Sequence, residues 1–213
     1  PLMLGFPAVA IEKYLKLLVD DGFTVVIVDQ VTPPPNPKRK VTGVYSPGTY
    51  IHEHMNQDSN NIVSLFIEDE IQKDGSVLMC IGMSVIDLST GENTVHESYS
   101  LNGDEKYALD EAVRFITSYN PKETLIYRKN NSSKISMTMD AMILYLELES
   151  KIYHYYTDIN KHFFKISYQN EFLRKIFPDT GMLTPIEYLD LEKLPYAIIS
   201  LITILDYSYQ HNE

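Results

Sequence analysis

Residues 62–100 read IVSLFIEDEIQKDGSVLMCIGMSVIDLSTGENTVHESYS, and this stretch decides the fold. Runs of apolar and β-branched residues of this length are typical of strands. Three such runs are present, and they are Ile62–Glu68, Ser76–Leu88 and Glu92–Ser100. The two connections between them, at 73–75 and 89–91, are short and end in glycine, which is typical of hairpin turns. The stretch therefore predicts an antiparallel meander of three strands.

The residues after the meander alternate between helical and extended patterns. We predict helices over Glu105–Tyr119 and Thr138–Glu147, and strands over Thr124–Tyr127 and Lys151–Thr157. Two further helices are predicted over Gln169–Phe177 and Lys193–Tyr209. Three antiparallel strands followed by alternating helix and strand is the element order of the ribonuclease-H-like fold. Residues 61–213 are therefore predicted to form an α/β domain of that fold, with a mixed sheet and flanking helices.

The first fifty residues have a different pattern. Apolar residues at positions 11, 14, 15 and 18 predict a helix over Glu12–Val19. The run Phe23–Val28 predicts a buried strand, and a second strand is predicted over Val41–Tyr45. Leu2–Leu4 is expected to be an internal strand whose partners lie outside this sequence. Residues 1–55 are therefore predicted to be part of an α/β domain, with the polar stretch His52–Asn61 as the boundary to the next.

The acidic residues of the chain are unevenly distributed. The net charge is −11, but residues 1–50 contain five basic and four acidic residues. Thirteen basic and twenty-five acidic residues remain for 51–213. A domain that binds a DNA backbone is usually basic or carries a basic stripe. Any affinity for nucleic acid is therefore expected in the first fifty residues, and the rest is expected to be a scaffold or a protein-binding unit.

Simple counts exclude several kinds of site. No stretch approaches about 18 uninterrupted apolar residues, so no membrane span is indicated. The single cysteine, Cys80, excludes an intrachain disulfide and a metal cluster built from cysteines, and its apolar neighbours predict a buried side chain. No phosphate-binding loop of the GxxxxGK[ST] or GxGxxG type is present, so we expect no ATP site and no other cofactor in this fragment.

A ribonuclease-H-like core raises the question of a metal-dependent nuclease, which needs three or four convergent carboxylates. Asp87 lies near the end of the second meander strand, and Glu105 or Glu111 on the first helix could approach the sheet. The later strand carries no acid, since Glu123 only precedes it. The set is incomplete, and Asp87 is better explained as the start of a hairpin turn. We therefore predict no catalytic residue and no metal site.

The histidines do not suggest a metal site either. His52 and His54 share a face of an extended chain, but no third ligand follows at a metal-binding spacing. This pattern favours a solvated loop. His154 and His162 lie among tyrosines and phenylalanines, and we predict that both are partly buried packing residues.

The basic triplet Lys38, Arg39 and Lys40 directly follows a proline-rich loop at 32–37. Prolines at this density exclude a helix or a central strand, so the loop is expected to be exposed. Three adjacent cations could each neutralise one phosphate of a nucleic acid. The triplet is therefore the candidate DNA-binding site, and a solvated loop kept soluble by its charge is the alternative that the spacing leaves open.

Several short motifs, taken in order, resemble the MutS family of mismatch-repair proteins. Leu4-Gly5-Phe6-Pro7 is similar to its AGIP segment, and Val26 to Val31, which contains Gln30, resembles its VAICEQ strand. Ser46-Pro47-Gly48-Thr49 is similar to its TPGT turn. In the second part, residues 87–91 (Asp87 to Gly91) resemble the DLSTG turn, and 120–123 (with Pro121) resemble NPxE. The motif positions with an expected structural role are Gly5, Pro7, Gln30, Pro47, Gly48, Thr49, Asp87, Gly91 and Pro121.

The resemblance implies a division of labour within a longer protein. Residues 1–55 would be the end of the mismatch-binding domain, and 61–213 would be the connector domain. The wedge that reads a mismatch and the ATPase domain, with its ATP and magnesium, would lie outside this chain. The implied partners are mismatched double-stranded DNA and a MutL-type protein, and the parent is expected to be dimeric and intracellular, in a cytoplasm, a virion factory or an organelle. The segment 168–177 resembles the divergent viral and organellar branch.

The fragment itself is expected to be a binding and relay module and not an enzyme. Two alternatives stay open on the sequence. The first is a metal-dependent nuclease on the ribonuclease-H-like core. The second is a free-standing protein–protein adaptor that kept the connector fold and lost contact with DNA.

Overall fold

The computed structural model describes residues 5–51, 59–101, 103–129 and 136–212. Its first part contains a short 3-10 turn at Ala8–Ala10, helix α1 (Ile11–Asp20) and an antiparallel hairpin of β1 (Val25–Gln30) and β2 (Arg39–Tyr45). Helix α1 forms because its apolar residues recur at helical spacing, and it buries Leu15 and Val19. Predicted strand Leu2–Leu4 and the boundary residues 52–58 lie outside the described residues.

Phe23–Val28 is predicted to be a buried strand. The strand is present, but the prediction that it is buried is wrong. In strand β1, Val26 and Val28 are each 52% exposed. Val41, which pairs with Val28 across the hairpin, is 50% exposed. The physical reason is that the hairpin has only two strands, and the described residues that contact it leave about half of each of these valines exposed. A run of β-branched residues predicts a strand, but it does not determine how many layers cover it.

The second part is built on one five-stranded mixed sheet. Its strands are β3 (Asn61–Ile71), β4 (Val77–Asp87), β5 (Asn93–Tyr99), β6 (Glu123–Lys129) and β7 (Tyr153–Tyr156), in the spatial order β5-β4-β3-β6-β7. The first three strands are antiparallel, and β6 and β7 run parallel to β3. This is the strand order of the ribonuclease-H-like fold. It confirms the predicted meander and the predicted fold class.

Helices cover both faces of this sheet. They are α2 (Tyr107–Tyr119), α3 (Met139–Tyr145), α4 (Ile166–Ile176), α5 (Pro185–Tyr188) and α6 (Pro195–Asn212). Central strand β3 is buried on both sides, because Phe66 belongs to the core under α6 and Leu65 belongs to the core under α2 and α3. The alternation of side chains along one strand therefore supplies two separate cores. Helix α6 packs over the core that contains Phe66.

Two elements near the end of the chain were not predicted: a 3-10 helix over Lys161–Phe164 and the short helix α5. Helix α4 was predicted, but it begins three residues earlier than expected, at Ile166. Helix α5 is a single turn whose N-terminus is capped by Thr184 and Glu187 in a reciprocal capping box. Pro185 occupies the first helical position, where its missing N–H costs nothing. These capping residues are a local signal from which the short helix could have been predicted.

Candidate functional site

The two parts of the chain meet at the side chain of Glu123. The preceding helix α2 ends at Tyr119. Its C-cap residue Asn120 takes a left-handed conformation (φ 40°), and Pro121 then prevents continuation of the helix. The chain turns at once into β6, of which Glu123 is the first residue. This places its carboxylate at the beginning of both parallel strands β3 and β6, where it is fully buried. The turn that follows β2 lies against the same end of the sheet.

The Glu123 carboxylate accepts four hydrogen bonds. From the first part of the chain, the Ser46 hydroxyl donates to Oε2 at 2.8 Å and the Gly48 backbone N–H donates to the same oxygen at 3.0 Å. From the second part, His154 Nε2 lies 2.6 Å from Oε1 and the Tyr207 hydroxyl donates to Oε1 at 3.0 Å. One oxygen therefore serves the turn and the other serves β7 and α6. A single carboxylate links three elements.

These hydrogen bonds stabilise the negatively charged form of Glu123. Burial raises the pKa of its carboxyl, but the hydrogen bonds from His154, Ser46 and Tyr207 and the electrostatic attraction of His154 together lower it by more, so the pKa lies below its usual value. Burial raises the pKa of Tyr207, so this phenol stays protonated and acts as a donor. A buried carboxylate that accepts several hydrogen bonds is stabilised as an anion. At neutral pH the site is therefore an ionised carboxylate surrounded by donors.

The turn itself is held on the sheet by a second set of bonds. The Ser46 backbone N–H donates to Thr49 Oγ1 at 3.0 Å, and the Thr49 side chain is buried. The Asn60 amide donates to the Gly48 carbonyl at 2.6 Å. We call Ser46, Gly48, Asn60, Glu123, His154 and Tyr207 the joint. Because its members come from both parts of the chain, movement of either part strains the same set of bonds.

The predicted motif residues fall into two groups. Pro47, Gly48 and Thr49 lie in the turn of the joint, and buried Pro121 lies two residues before Glu123, the first residue of β6. Asp87 and Gly91 lie in the turn after β4, where Asp87 Oδ1 accepts from the Ser89 N–H and hydroxyl and from the Asn60 N–H. These last bonds connect the meander turn to the joint. Gly5, Pro7 and Gln30 lie in the first part, away from Glu123, and all three are exposed.

The basic triplet lies at the far end of the hairpin. Lys38 precedes β2, and Arg39 and Lys40 are its first residues. All three side chains are exposed. Arg39 pairs with Gln30 and Lys40 with Asp29 across the hairpin. The structure therefore places the candidate DNA-binding residues on a strand end rather than on a loose loop, and it does not bring them to the joint.

Two of the carboxylates considered for a nuclease, those of Asp87 and Glu111, have partners within the protein. Asp87 holds a turn, and Glu111 pairs with Arg114 one helical turn away on α2 and lies 3.8 Å from His96. Within the described residues, no group of three or more histidine, cysteine, aspartate or glutamate side chains could hold a metal ion. His52 and His54 lie outside the described residues. The predicted packing role holds for His154, whereas His162 is exposed.

The residues that the sequence reasoning missed are the ones at the centre of the joint. The prediction that Glu123 only precedes a strand is wrong, because Glu123 is the first residue of β6. Its carboxylate pairs directly with His154, which the pattern predicts only as a packing residue. The prediction for Cys80 was right, because it is fully buried and burial raises the pKa of its thiol to about 12. No helix among the described residues is long and apolar enough to cross a membrane.

The fold and the joint together define a two-part α/β protein in which a helix-and-hairpin part docks against one end of the sheet of a ribonuclease-H-like domain. The family model for MutS domain I matches residues 2–54, and the model for MutS domain II matches residues 63–210. The chain belongs to the MutS family, and it is a fragment of the mismatch-repair, MutS type.

Two relatives illustrate the range of similarity. The DNA mismatch repair protein mutS homolog of Acanthamoeba polyphaga mimivirus is 36% identical over 100% of this chain and 20% of its own length. The DNA mismatch repair protein MutS of Petrotoga mobilis is 32% identical over 60% of this chain and 14% of its own length. The chain therefore spans a fifth or less of these two relatives.

One solved structure gives a more distant comparison. The Holliday junction resolvase of fowlpox virus covers 70% of this chain and 99% of its own, with a TM-score of 0.39 and 16% sequence identity. A similarity this low bears on neither the activity nor the substrate of this chain.

Proposed function

We propose that this chain is the coupling segment of a MutS-type mismatch-repair protein. It supports the binding of mismatched DNA and relays conformational change between the DNA site and the parts that bind ATP and a MutL-type partner. The observation that carries the proposal is the joint at Glu123. One buried carboxylate accepts hydrogen bonds from Ser46 and Gly48 in the part matched as domain I, and from His154 and Tyr207 in the part matched as domain II.

The geometry of the joint supports a relay because its bonds are shared. If the turn at 46–49 moves, Glu123 loses donors on Oε2 and the bonds on Oε1 must adjust. The bonds on Oε1 lead into β7 and into α6, which lies along the sheet and covers one of its two cores. A rigid helix and a packed sheet transmit a displacement better than a loop does. Motion of the hairpin part would therefore reach α6 through one side chain.

The proposal extends to the whole protein of which this chain would be a part. That protein would bind double-stranded DNA with a mismatch, hydrolyse ATP with magnesium in a separate domain, work as a dimer inside the cell or infected cell, and contact a MutL-type partner through the connector. The family membership and the names of the relatives support this extension. The gene tests it: a Phe-x-Glu strand upstream and a phosphate-binding loop downstream are expected. Absence of both would favour a free-standing adaptor.

The relay is tested by the substitution Gly48→Ala. A β-carbon here would lie 2.6 Å from Glu123 Oε2 and 2.7 Å from Ile62 Cγ1, so the turn and the Glu123 carboxylate have to move apart. We expect amide hydrogen exchange to accelerate about tenfold, equivalent to about 1.4 kcal/mol. The faster exchange should extend beyond residues 46–50, into β7 around His154 and into the end of α6 around Tyr207. Hydrogen–deuterium exchange with mass spectrometry measures it.

Gly5→Ala is the matched control for this experiment. A β-carbon at Gly5 would meet no atom within 4 Å, and the residue lies in the same part of the chain. It is expected to leave exchange in β7 and α6 unchanged. If the effect of Gly48→Ala stays within residues 5–51, the joint does not couple the two parts and the proposed relay is wrong.

We also propose that the fragment binds DNA only weakly, through Lys38, Arg39 and Lys40. Three exposed cations can neutralise about three phosphates, so affinity should fall roughly 40-fold between 50 and 200 mM salt. Affinity for mismatched and fully paired duplexes should be equal, because the family wedge that reads a mismatch is expected upstream of this segment. Fluorescence anisotropy with the two duplexes measures both effects. A clear preference for the mismatch, or a salt response unchanged when all three residues are alanine, would contradict this proposal.

We propose in addition that the fragment has no nuclease activity. The support is that the candidate carboxylate of Asp87 is engaged by its own turn, where hydrogen bonds from Ser89, Asn60 and Thr90 together outweigh burial and keep its pKa low. The expected result is no Mg²⁺-dependent cleavage of plasmid or branched DNA, with the native chain and Asp87→Asn indistinguishable. Cleavage that needs Mg²⁺ and disappears in Asp87→Asn would establish the nuclease alternative instead.

A further inference from the structure

A cleft of about 610 Å³ opens at the opposite end of β3 from the joint. It lies between the last residues of that strand, helix α4 and the first turns of α6. A volume of this size is typical of ligand sites. Most of its wall is apolar, and the main contributors are Phe164, Ile166, Ile186, Ile198 and Ile199. The cleft shares no residue with the joint, so the inference drawn from it stands or falls independently of the proposed relay.

The charged groups that line this cleft are all acidic. They are Glu68, Glu70 and Glu192. The carboxylate of Glu68 accepts a hydrogen bond from Lys129 Nζ at 2.5 Å, and Glu70 accepts one from the Tyr196 hydroxyl. Even with Lys129 counted, the cleft keeps an excess of negative charge. Carboxylates beside an apolar wall attract a cation more strongly than they would in open water, because the effective dielectric constant is lower.

The amide side chains in the wall are engaged by the protein itself. Gln169 donates to the Phe163 carbonyl at 2.8 Å and is buried, and Asn170 Oδ1 accepts from the Ile186 N–H at 3.3 Å. The recognition chemistry of the cleft is therefore a combination of carboxylates and aliphatic surface. Lysine and arginine match it, because each carries a charged head on an apolar stem.

We propose that this cleft binds a protein segment that presents a lysine or arginine next to an aliphatic side chain. The charged head would lie between Glu70 and Glu192, and its stem would cover the isoleucine wall. A segment fits better than a free cation because the apolar surface continues out of the cleft: Ile166 at its rim is 70% exposed. That rim offers contact to a neighbouring aliphatic residue, which an isolated amine would leave in water.

The test uses the 213-residue chain with labelled isoleucine δ1 methyl groups and a blocked pentapeptide, acetyl-Gly-Leu-Arg-Leu-Gly-amide, followed by NMR titration. We expect saturable shifts confined to Ile166, Ile186, Ile198 and Ile199. The same peptide with neutral citrulline in place of arginine should bind about tenfold more weakly, as should n-propylguanidinium, which carries the charge without the leucines; each tenfold corresponds to about 1.4 kcal/mol.

The protein variants complete the test. Glu70→Gln combined with Glu192→Gln should weaken the arginine peptide about tenfold and leave the citrulline peptide unchanged. Glu171→Gln, which removes one carboxylate from the exposed side of α4 outside the cleft, is the control and should change neither affinity. Equal affinity for the arginine and citrulline peptides, equal affinity for the peptide and propylguanidinium, or shifts that avoid these four methyl groups would overturn the proposal. Unchanged methyl spectra of the free variants verify that they fold.

Discussion

Replacing Glu123 by alanine is expected to lower the free energy of unfolding by about 3 to 5 kcal/mol. The side chain is fully buried and accepts four hydrogen bonds. Its removal leaves the donors of Ser46, His154 and Tyr207 without their acceptor in a place that water reaches poorly, and each such group costs about 1 to 3 kcal/mol. Urea denaturation followed by circular dichroism measures the loss.

The control for this substitution is Glu171→Ala on α4. Glu171 is exposed, so its replacement should change stability by no more than about 0.5 kcal/mol. If Glu123→Ala is no more harmful than Glu171→Ala, the buried carboxylate does not hold the two parts together. A second outcome would also be informative: two separate unfolding transitions in the variant, against one in the native chain, would show that the joint makes the parts unfold together.

The contribution of Glu123 should depend on pH in a defined direction. Its pKa in the folded chain lies below the ordinary value, because the hydrogen bonds from His154, Ser46 and Tyr207 and the electrostatic attraction of His154 together outweigh burial. A carboxylate with a lowered pKa contributes stability that is fully present above its unfolded pKa of about 4.3 and is lost as the pH falls through its folded pKa. The stability difference between the native chain and Glu123→Gln should therefore be largest near neutral pH and shrink below about pH 4.

Much of the fold could be predicted because its signals are local. The three meander strands, the two glycine turns and helix α2 each follow from the pattern of adjacent residues, and their order then restricts the topology. Burial of β1 could not be predicted in the same way. The run from Phe23 to Val28 is apolar, but what covers Val26 and Val28 depends on other segments, and the described residues leave about half of each exposed.

The joint could be predicted only in part, and the reason is sequence distance. The Ser46–Thr49 turn was expected from its proline and glycine. Its acceptor, however, is 77 residues away from Ser46, and Tyr207 is a further 84 residues along the chain from Glu123. Pairs of polar residues at such separations have no periodicity that a single sequence displays. An acid at the predicted start of a strand, two residues after the proline that stops helix α2, is the one local clue.

The close contact between the start of α6 and strand β4 requires glycine at position 82. At Gly82 in β4, a β-carbon would lie 2.0 Å from the Tyr196 carbonyl oxygen and 2.6 Å from the Ala197 nitrogen. Both are backbone atoms, so no rotation of a side chain can make room. The close approach lets Glu97 on neighbouring strand β5 accept hydrogen bonds from the Tyr196 and Ala197 N–H groups, at 2.7 and 2.9 Å. These bonds satisfy donors that a helix N-terminus would otherwise leave unpaired.

Gly82→Ala is therefore expected to destabilise the chain by about 3 kcal/mol, since overpacking of a tight contact costs about 1 to 3 kcal/mol and the helix cap is lost as well. For a chain of this length, that corresponds to a fall in Tm of roughly 6 to 12 °C. Thermal unfolding followed by circular dichroism measures it, with Gly5→Ala, where the added carbon meets nothing within 4 Å, as the neutral control. A Tm within about 2 °C of the native value would contradict the close approach.

A double mutant separates the loss of the cap from simple crowding. Glu97→Gln alone should cost about 1 kcal/mol, because charge-assisted bonds to the Tyr196 and Ala197 N–H groups become neutral ones. In the Gly82→Ala background the helix start has already moved away from Glu97, so the second substitution should cost much less. Groups that share one contact are non-additive in this way. Full additivity would mean that α6 keeps its cap and that the sheet, rather than the helix, yields to the added carbon.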